Sequence, residues 1–178
     1  MRTSFLRILA LLRRSEDSRR DSMTDDLHNV SHQVRRSESR DIVHVREIAR
    51  QSPEAAAWPD EDYLQLDRNG HFAWVIESGG NLCGFLIART VAADEGEILN
   101  LAVAPFSRRT GNATALLQTC LDEFTRREIQ HVFLEVRESN FPAIAFYEKQ
   151  KFVRTGRRSA YYQNPGEAAV LLVRKLTG

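Results

Sequence analysis

The stretch from Gly96 to Arg137 constrains the fold most. "GEILNLAVAP" reads as a strand stopped by Pro105. After it, Leu116, Leu117, Cys120, Leu121 and Phe124 stand at i, i+1, i+4, i+5 and i+8, one apolar stripe at helical period. "HVFLEVR" then reads as a second strand. A strand, a helix and a strand in this span have the length of a crossover, the connection that parallel neighbours in a sheet require.

The rest of the chain surrounds this unit with hairpin-like material. "SHQVRRS" is a short strand candidate, and Asp41 opens a helix with Ile42, Val45, Ile48 and Ala49 on one face. "WPDEDYLQL" suggests a short second helix capped by Asp60. "HFAWVIES" and "NLCGFLIART" are β-rich runs joined at Gly79-Gly80, two residues that tolerate positive φ, so an antiparallel hairpin is predicted. "NFPAIAFYEKQ" is a helix with Pro142 in its first turn, and "AAVLLVRKL" is a closing strand. Between these two, "RTGRRSAYYQNPGE" reads as strand-to-loop material with a turn at Asn164-Pro165-Gly166. Trp58 and Trp74 are expected in the core. The layout is a mixed, largely antiparallel sheet with helices inserted early and late.

Composition narrows the function. The chain has 178 residues, enough for one domain with a core and a tail. A formal charge of +1 lacks the basic stripe of a nucleic-acid binder. Two cysteines, Cys83 and Cys120, have no metal-ligand spacing and read as core thiols of a reducing compartment, the cytoplasm. Five histidines form no i, i+4 pair on a credible helix, so no metal site is predicted. The first 22 residues carry six arginines, and Arg7 interrupts their only apolar run, Phe5 to Leu12, which is too short to span a membrane. Residues 1–29 are expected to form a disordered or weakly helical extension, or to precede a true start at Met23, with the folded domain over 30–178.

The turn inside the crossover, "SRRTGNATALLQ", carries the first functional signal. The first N–H groups of a helix lack intrahelical partners, and with the helix dipole they suit a phosphate. Gly111 permits close backbone approach, and Arg108 and Arg109 add positive charge. The Gly-Lys-Ser/Thr element of a P-loop and the further glycines of a dinucleotide fingerprint are both absent. Alone, the stretch fits either a phosphate site or an ordinary helix entrance.

Its neighbours decide between the two. "RRTGNA" matches the R/Q-x-x-G-x-G/A signature of the GNAT superfamily of N-acetyltransferases. Upstream, "ILNLAVAP" resembles that family's bulged strand. Downstream, "FLEVRESNFPAIAFYEKQKF" is similar to the corresponding run of bacterial RimI-type ribosomal-protein-alanine N-acetyltransferases. The similarity runs without a gap from Asn100 to Phe152, continues loosely to the last strand, and is faint before Gly70. It implies an α+β fold, a mostly antiparallel twisted sheet of about six to seven strands flanked by about four helices. It also implies acetyl-CoA as co-substrate. Leu101, Ala102 and Val103 would offer backbone groups to the acetyl and pantetheine portion. Arg109, Thr110, Gly111, Asn112, Ala113 and Thr114 would surround the pyrophosphate, and Asn140 would touch the cofactor arm. Glu135 matches the general base and Tyr147 the general acid. The implied acceptor is the N-terminal alanine of a ribosomal protein, met in a direct ternary complex by a monomer or weak dimer, without nucleic-acid or membrane contacts. A small-molecule amine or a lysine is the same-fold alternative. A silent acyl-CoA sensor is a third, against which both Glu135 and Tyr147 speak.

The chemistry suits these residue types. Acetyl transfer from a thioester needs a neutral amine, a stabilised oxyanion and a proton for the thiolate; a carboxylate, a backbone N–H such as that of Val103, and a tyrosine supply them. An α-amine with pKa near 8 costs about 1 kcal/mol to deprotonate at pH 7, whereas a lysine costs roughly 4 to 5 kcal/mol. Each residue also has a plainer reading. By strand period Glu135 lies opposite Val132, Leu134 and Val136 and could be solvated. Tyr147 could be core packing, and Asn140 a helix cap. Arg157, Arg158, Tyr161 and Tyr162 could line the acceptor entrance or form a basic, aromatic surface. Three departures from the RimI-type pattern bear on the acceptor side. Lys151 stands where glycine is frequent, "RRSAYY" has one residue more than usual, and Ala168 replaces a frequent acidic residue.

Overall fold

A computed structural model describes residues 32–54, 58, 63, 70–163 and 165–176. The proposed extension over 1–29 and most of the proposed "WPDEDYLQL" helix lie outside the described residues. Among the described residues, seven strands and three α-helices follow in the order β1 (His32–Arg36), α1 (Ile42–Arg50), β2 (His71–Ser78), β3 (Asn81–Ala92), β4 (Glu95–Val103), α2 (Asn112–Arg126), β5 (His131–Arg137), α3 (Phe141–Lys149), β6 (Val153–Gln163) and β7 (Gly166–Lys175). They form one mixed sheet ordered β1-β2-β3-β4-β5-β7-β6. From β2 onward every pairing is antiparallel except β4 with β5, the pair that α2 joins.

Local chemistry sets these elements. Gly79 and Gly80, at φ 57° and 78°, make the two-residue turn between β2 and β3. The apolar stripe of α2 is buried as its period requires, against Phe72, Trp74 and Ile76 of β2 and Val132 and Leu134 of β5. On the other sheet face, Val45 and Ile48 of α1 pack on Val75, Phe85 and Ile87. Arg35 of β1 fastens α1 at its start, with a bidentate pair to Asp41 (2.6 and 2.8 Å) and a second pair to Glu77 of β2. Trp74 is buried, while Trp58 is half-buried with its ring centre 5.6 Å from that of Tyr63. Cys83 and Cys120 are buried free thiols, and burial pushes the Cys120 thiol up.

Alternation along β4 breaks once. Ile98 pairs with Ala88 and Asn100 with Ile87, so Leu99 is an extra residue. Ile98 therefore packs in the α2-side cluster, but so does Leu101, three residues on. A bulge has shifted the strand by one residue and turned its faces over.

Two expectations are refined. "RTGRRSAYYQ", expected as strand passing into loop, is strand throughout: with Val153 it forms β6, an edge strand of 11 residues followed by a turn at Pro165. Nearly every β6 residue is exposed, so no apolar alternation marks it in sequence. The end of α3 keeps its glycine-type geometry with Lys151 at φ 65°. Lys151 N–H donates to Glu148 O and Phe152 N–H to Tyr147 O, both at 3.0 Å, the two bonds of a Schellman motif.

Candidate active site

The parallel strands β4 and β5 pair only from Glu95–His131 to Ile98–Leu134 and then part. The gap opens into a cleft of about 470 Å³. One wall is the end of β4, the other Leu134 to Arg137 of β5, and the rim is formed by Arg108, Arg109, Ala113, Asn140 and Tyr147.

The end of β4 presents its main chain to this cleft in a defined pattern. Ala104 N–H donates to Cys83 O of β3 at 2.8 Å. Main-chain groups alternate along an antiparallel pair, so Ala102 also turns its groups to β3, while Leu101 and Val103 turn theirs into the gap. The Val103 carbonyl is taken there by Arg108 Nε at 3.1 Å. By the same alternation the Val103 N–H is on the gap side.

The turn before α2 is a cradle of donors. Gly111, at φ 88°, caps α2, and a Cβ there would meet nothing within 4 Å, so the space over the turn is open. The first intrahelical bond runs from Ala115 N–H to Gly111 O (3.0 Å), which leaves Asn112, Ala113 and Thr114 with N–H groups that have no helical acceptor. Arg109 holds φ 64° beside them and is exposed. The turn is braced from beneath. Thr110 Oγ1 donates to Ser107 O at 2.7 Å, and buried Asn112 donates Nδ2 to Ser107 O and Oγ at 3.3 and 3.2 Å. Asn112 Oδ1 is buried without a hydrogen-bond partner. Together, the open space, the row of N–H groups and the arginine fit a pyrophosphate.

Arg108, the first residue of the signature, does something its sequence position did not suggest. Besides Val103 O it reaches Ser52 Oγ (3.2 Å) and Glu54 (3.0 Å), tying the strand end to the segment after α1. A charge read as phosphate-facing is thus a brace between three segments.

Glu135 and Tyr147 line the same cleft from β5 and α3. Glu135 stands on the sheet face away from α2, with a side chain 16 % exposed and Oε1 3.0 Å from Arg158 Nη1. The Glu135 carboxylate, with burial, pushes the nearby Tyr161 phenol up to about 12. Tyr147 is buried, its ring edge-on to Phe146 (5.2 Å) and Phe152 (5.5 Å). Burial raises its phenol well above the ordinary range, which keeps the proton on. Asn140 does two things at once. Its Oδ1 accepts Ala143 N–H at 3.1 Å as the cap of α3, and it lines the cleft. At the acceptor-side rim, Arg137 lies over Tyr162 (4.1 Å) and pairs with Glu167 at 3.3 Å. Ala168 is buried, with its carbonyl accepting Glu138 N–H at 3.0 Å; the carboxylate sits one residue earlier, on Glu167. No cluster of metal-ligating side chains is found among the described residues, and no described helix is long and apolar enough to cross a membrane.

Comparison with known proteins agrees with this geometry. The [ribosomal protein bS18]-alanine N-acetyltransferase of Escherichia coli K12 is 32% identical over 119 residues, 67% of this chain and 77% of that protein. An N-alpha-acetyltransferase of Saccharolobus solfataricus is 39% identical over 83 residues, 46% of this chain and 49% of its own. The crystal structure of Ard1 from Thermoplasma volcanium superposes with a TM-score of 0.77 at 29% identity, covering 84% of this chain and all of that one. The sequence profile of the acetyltransferase (GNAT) family, whose members draw on acetyl-CoA, matches residues 40–152. A crossover that parts its own strands, an open helix entrance at the rim and a profile spanning both have one common explanation: this chain belongs to the acetyltransferase (GNAT) family.

Proposed function

We propose that the chain transfers the acetyl group of acetyl-CoA to the α-amine of a protein N-terminus, with the N-terminal alanine of a ribosomal protein as first candidate. The observation that carries the reading is the meeting of Glu135, Tyr147 and the Val103 main chain at one gap in the sheet. The Arg109 to Thr114 turn holds the pyrophosphate through main-chain N–H groups, and Leu101 and Val103 bond the arm lying between β4 and β5. Glu135 takes a proton from the acceptor ammonium. The amine nitrogen forms its bond to the thioester carbon, and the Val103 N–H faces the oxyanion that results. As the carbon–sulfur bond breaks, Tyr147 gives its proton to the departing sulfur. Two protons leave the nitrogen: the first goes to Glu135, the second is shed as the tetrahedral intermediate collapses and makes good, through solvent, the one Tyr147 gives to sulfur, so one proton in all is released.

The acceptor class follows from magnitude and likeness. One carboxylate suffices for an α-amine, which costs about 1 kcal/mol to neutralise, more readily than for a lysine. The E. coli relative is named for N-acetylating an alanine of ribosomal protein bS18. The reading implies a cytoplasmic enzyme whose acetyltransferase domain spans 30–178.

The test incubates the purified protein with acetyl-CoA and alanine-initiated peptides, and separately with N-blocked peptides carrying an internal lysine, and follows thiol release. Turnover with the alanine peptides, lost in Glu135→Gln, is expected. Turnover with lysine peptides alone moves the acceptor to a side chain, and no turnover above the Glu135→Gln background removes the peptide reading.

A further inference from the structure

Three arginines of β6 end on glutamates of neighbouring elements: Arg154 on Glu148 (2.7 Å), Arg157 on Glu138 (2.8 Å) and Arg158 on Glu135 (3.0 Å). The first two join exposed carboxylates at the surface. The third lines a hollow beside the cleft and ends on the least exposed of the three carboxylates, which borders both.

The backbone is shaped for that contact. Arg158 pairs with Ala169 and Tyr162 with Glu167, so Ser159, Ala160 and Tyr161 stand against Ala168 alone. Ala160 takes φ 52°, a left-handed conformation that costs an L-residue about 1 kcal/mol. In a regular strand, residues three apart face opposite sides of the sheet. Here the bulge brings Arg158 and Tyr161 to one side, the guanidinium 5.7 Å from the ring centre and paired with Glu135. The bulge within "RRSAYY" thus sets the Arg158 guanidinium, flanked by the Tyr161 ring, on the Glu135 carboxylate.

The other charges around Glu135 are committed elsewhere or carry the wrong sign. Arg137 on β5 is paired with Glu167, and Arg89 on β3 with Glu97 of β4 at 2.7 Å. Glu95 and Glu97 of β4 line the hollow beside Glu135 with Arg158, while Tyr147 of α3 and Tyr162 of β6 are neutral donors. A substrate ammonium and a guanidinium are both cationic N–H donors and compete for the same lone pairs.

We propose that Arg158 is a positioning residue that holds the Glu135 carboxylate until an acceptor arrives, and that the acceptor ammonium enters by replacing the Arg158 guanidinium on it. The inference rests on reading Glu135 as the base. It makes the exchange a filter, because a terminus without a cationic amine cannot displace Arg158.

The test measures, in the presence of CoA, binding of an alanine-initiated peptide and of its propionyl analogue, which lacks only the amine. Arg158→Gln is expected to tighten the amine peptide about threefold, the scale of an exposed ion pair, and to leave the propionyl peptide unchanged. Acceptor KM falls by the same factor with kcat changed less. Arg158→Lys, which keeps the charge, restores wild-type behaviour in part and carries the test if the glutamine variant is unstable. Equal changes for both peptides, or no change for the amine peptide, overturn the proposal while leaving Glu135 as base. Full turnover in Glu135→Gln overturns the base assignment instead, and the exchange falls with it.

Discussion

The Phe152 ring meets the Tyr147 ring edge-on with centres 5.5 Å apart, across the two hydrogen bonds that close α3. The aromatic contact and the Schellman bonds together fix the last turn on which Tyr147 rides. Lys151 sits at the one position of that turn where glycine has no steric cost. Lys151→Gly is therefore expected to stabilise the protein by about 1 kcal/mol, read as a rise in Tm of roughly 2 to 4 °C. Activity at 25 °C should hardly change.

The Tyr147 hydroxyl separates from its ring in function. Tyr147→Phe keeps the ring packing against Phe146 and Phe152 and removes the proton donor. We expect kcat to fall by about 10² or more, with acetyl-CoA binding and Tm nearly unchanged. A variant that keeps kcat would assign the proton to another donor, such as water.

Gly84 lies where the β4 main chain leaves no room for a side chain on β3. A Cβ there would stand 2.9 Å from the Ala102 carbonyl oxygen, a main-chain atom that cannot move alone. Gly84→Ala should destabilise by about 1 to 3 kcal/mol, measured by urea unfolding. Because Gly84 pairs with Val103, activity should fall further than stability explains.

Asp41 gives stability an acid-sensitive part. The Arg35 hydrogen bonds hold its carboxyl below the usual range against the opposing effect of burial. A carboxyl lowered in the folded state contributes fully above its unfolded pKa of about 4, and loses that contribution as pH falls through the folded value. Stability should therefore decline from about pH 4 downward. Asp41→Asn should be less stable at pH 7 by about 2 kcal/mol, with a flatter acid limb in chemical unfolding curves.

What the sequence disclosed follows from where periodicity survives folding. The β4–α2–β5 crossover was legible because one side of each element is buried, so Leu116, Phe124, Val132 and Leu134 repeat at the periods of helix and strand. The Gly79-Gly80 turn was legible because only certain residues fit it. β6 was not, since it is exposed on both faces and its pattern carries no burial. The site residues Glu135, Tyr147 and Asn140 were found through a resemblance; period alone put Glu135 merely on the outer face. Arg108 and Arg158 were seen as charges, but their partners lie 56 and 23 positions away or arise from a bulge, and no local pattern announces either.

The parting of β4 and β5 gives the sheet two edges that its strand order does not reveal. An ordinary edge invites another strand, and proteins blunt it with charge or bulges. These two face each other across the cleft that Ala113 of α2 and Tyr147 of α3 help to line, and what pairs with them there needs amides of its own. The molecule thereby keeps unpaired main chain in its middle without exposing it to aggregation, so that vulnerability to stray pairing is confined to the outer strands.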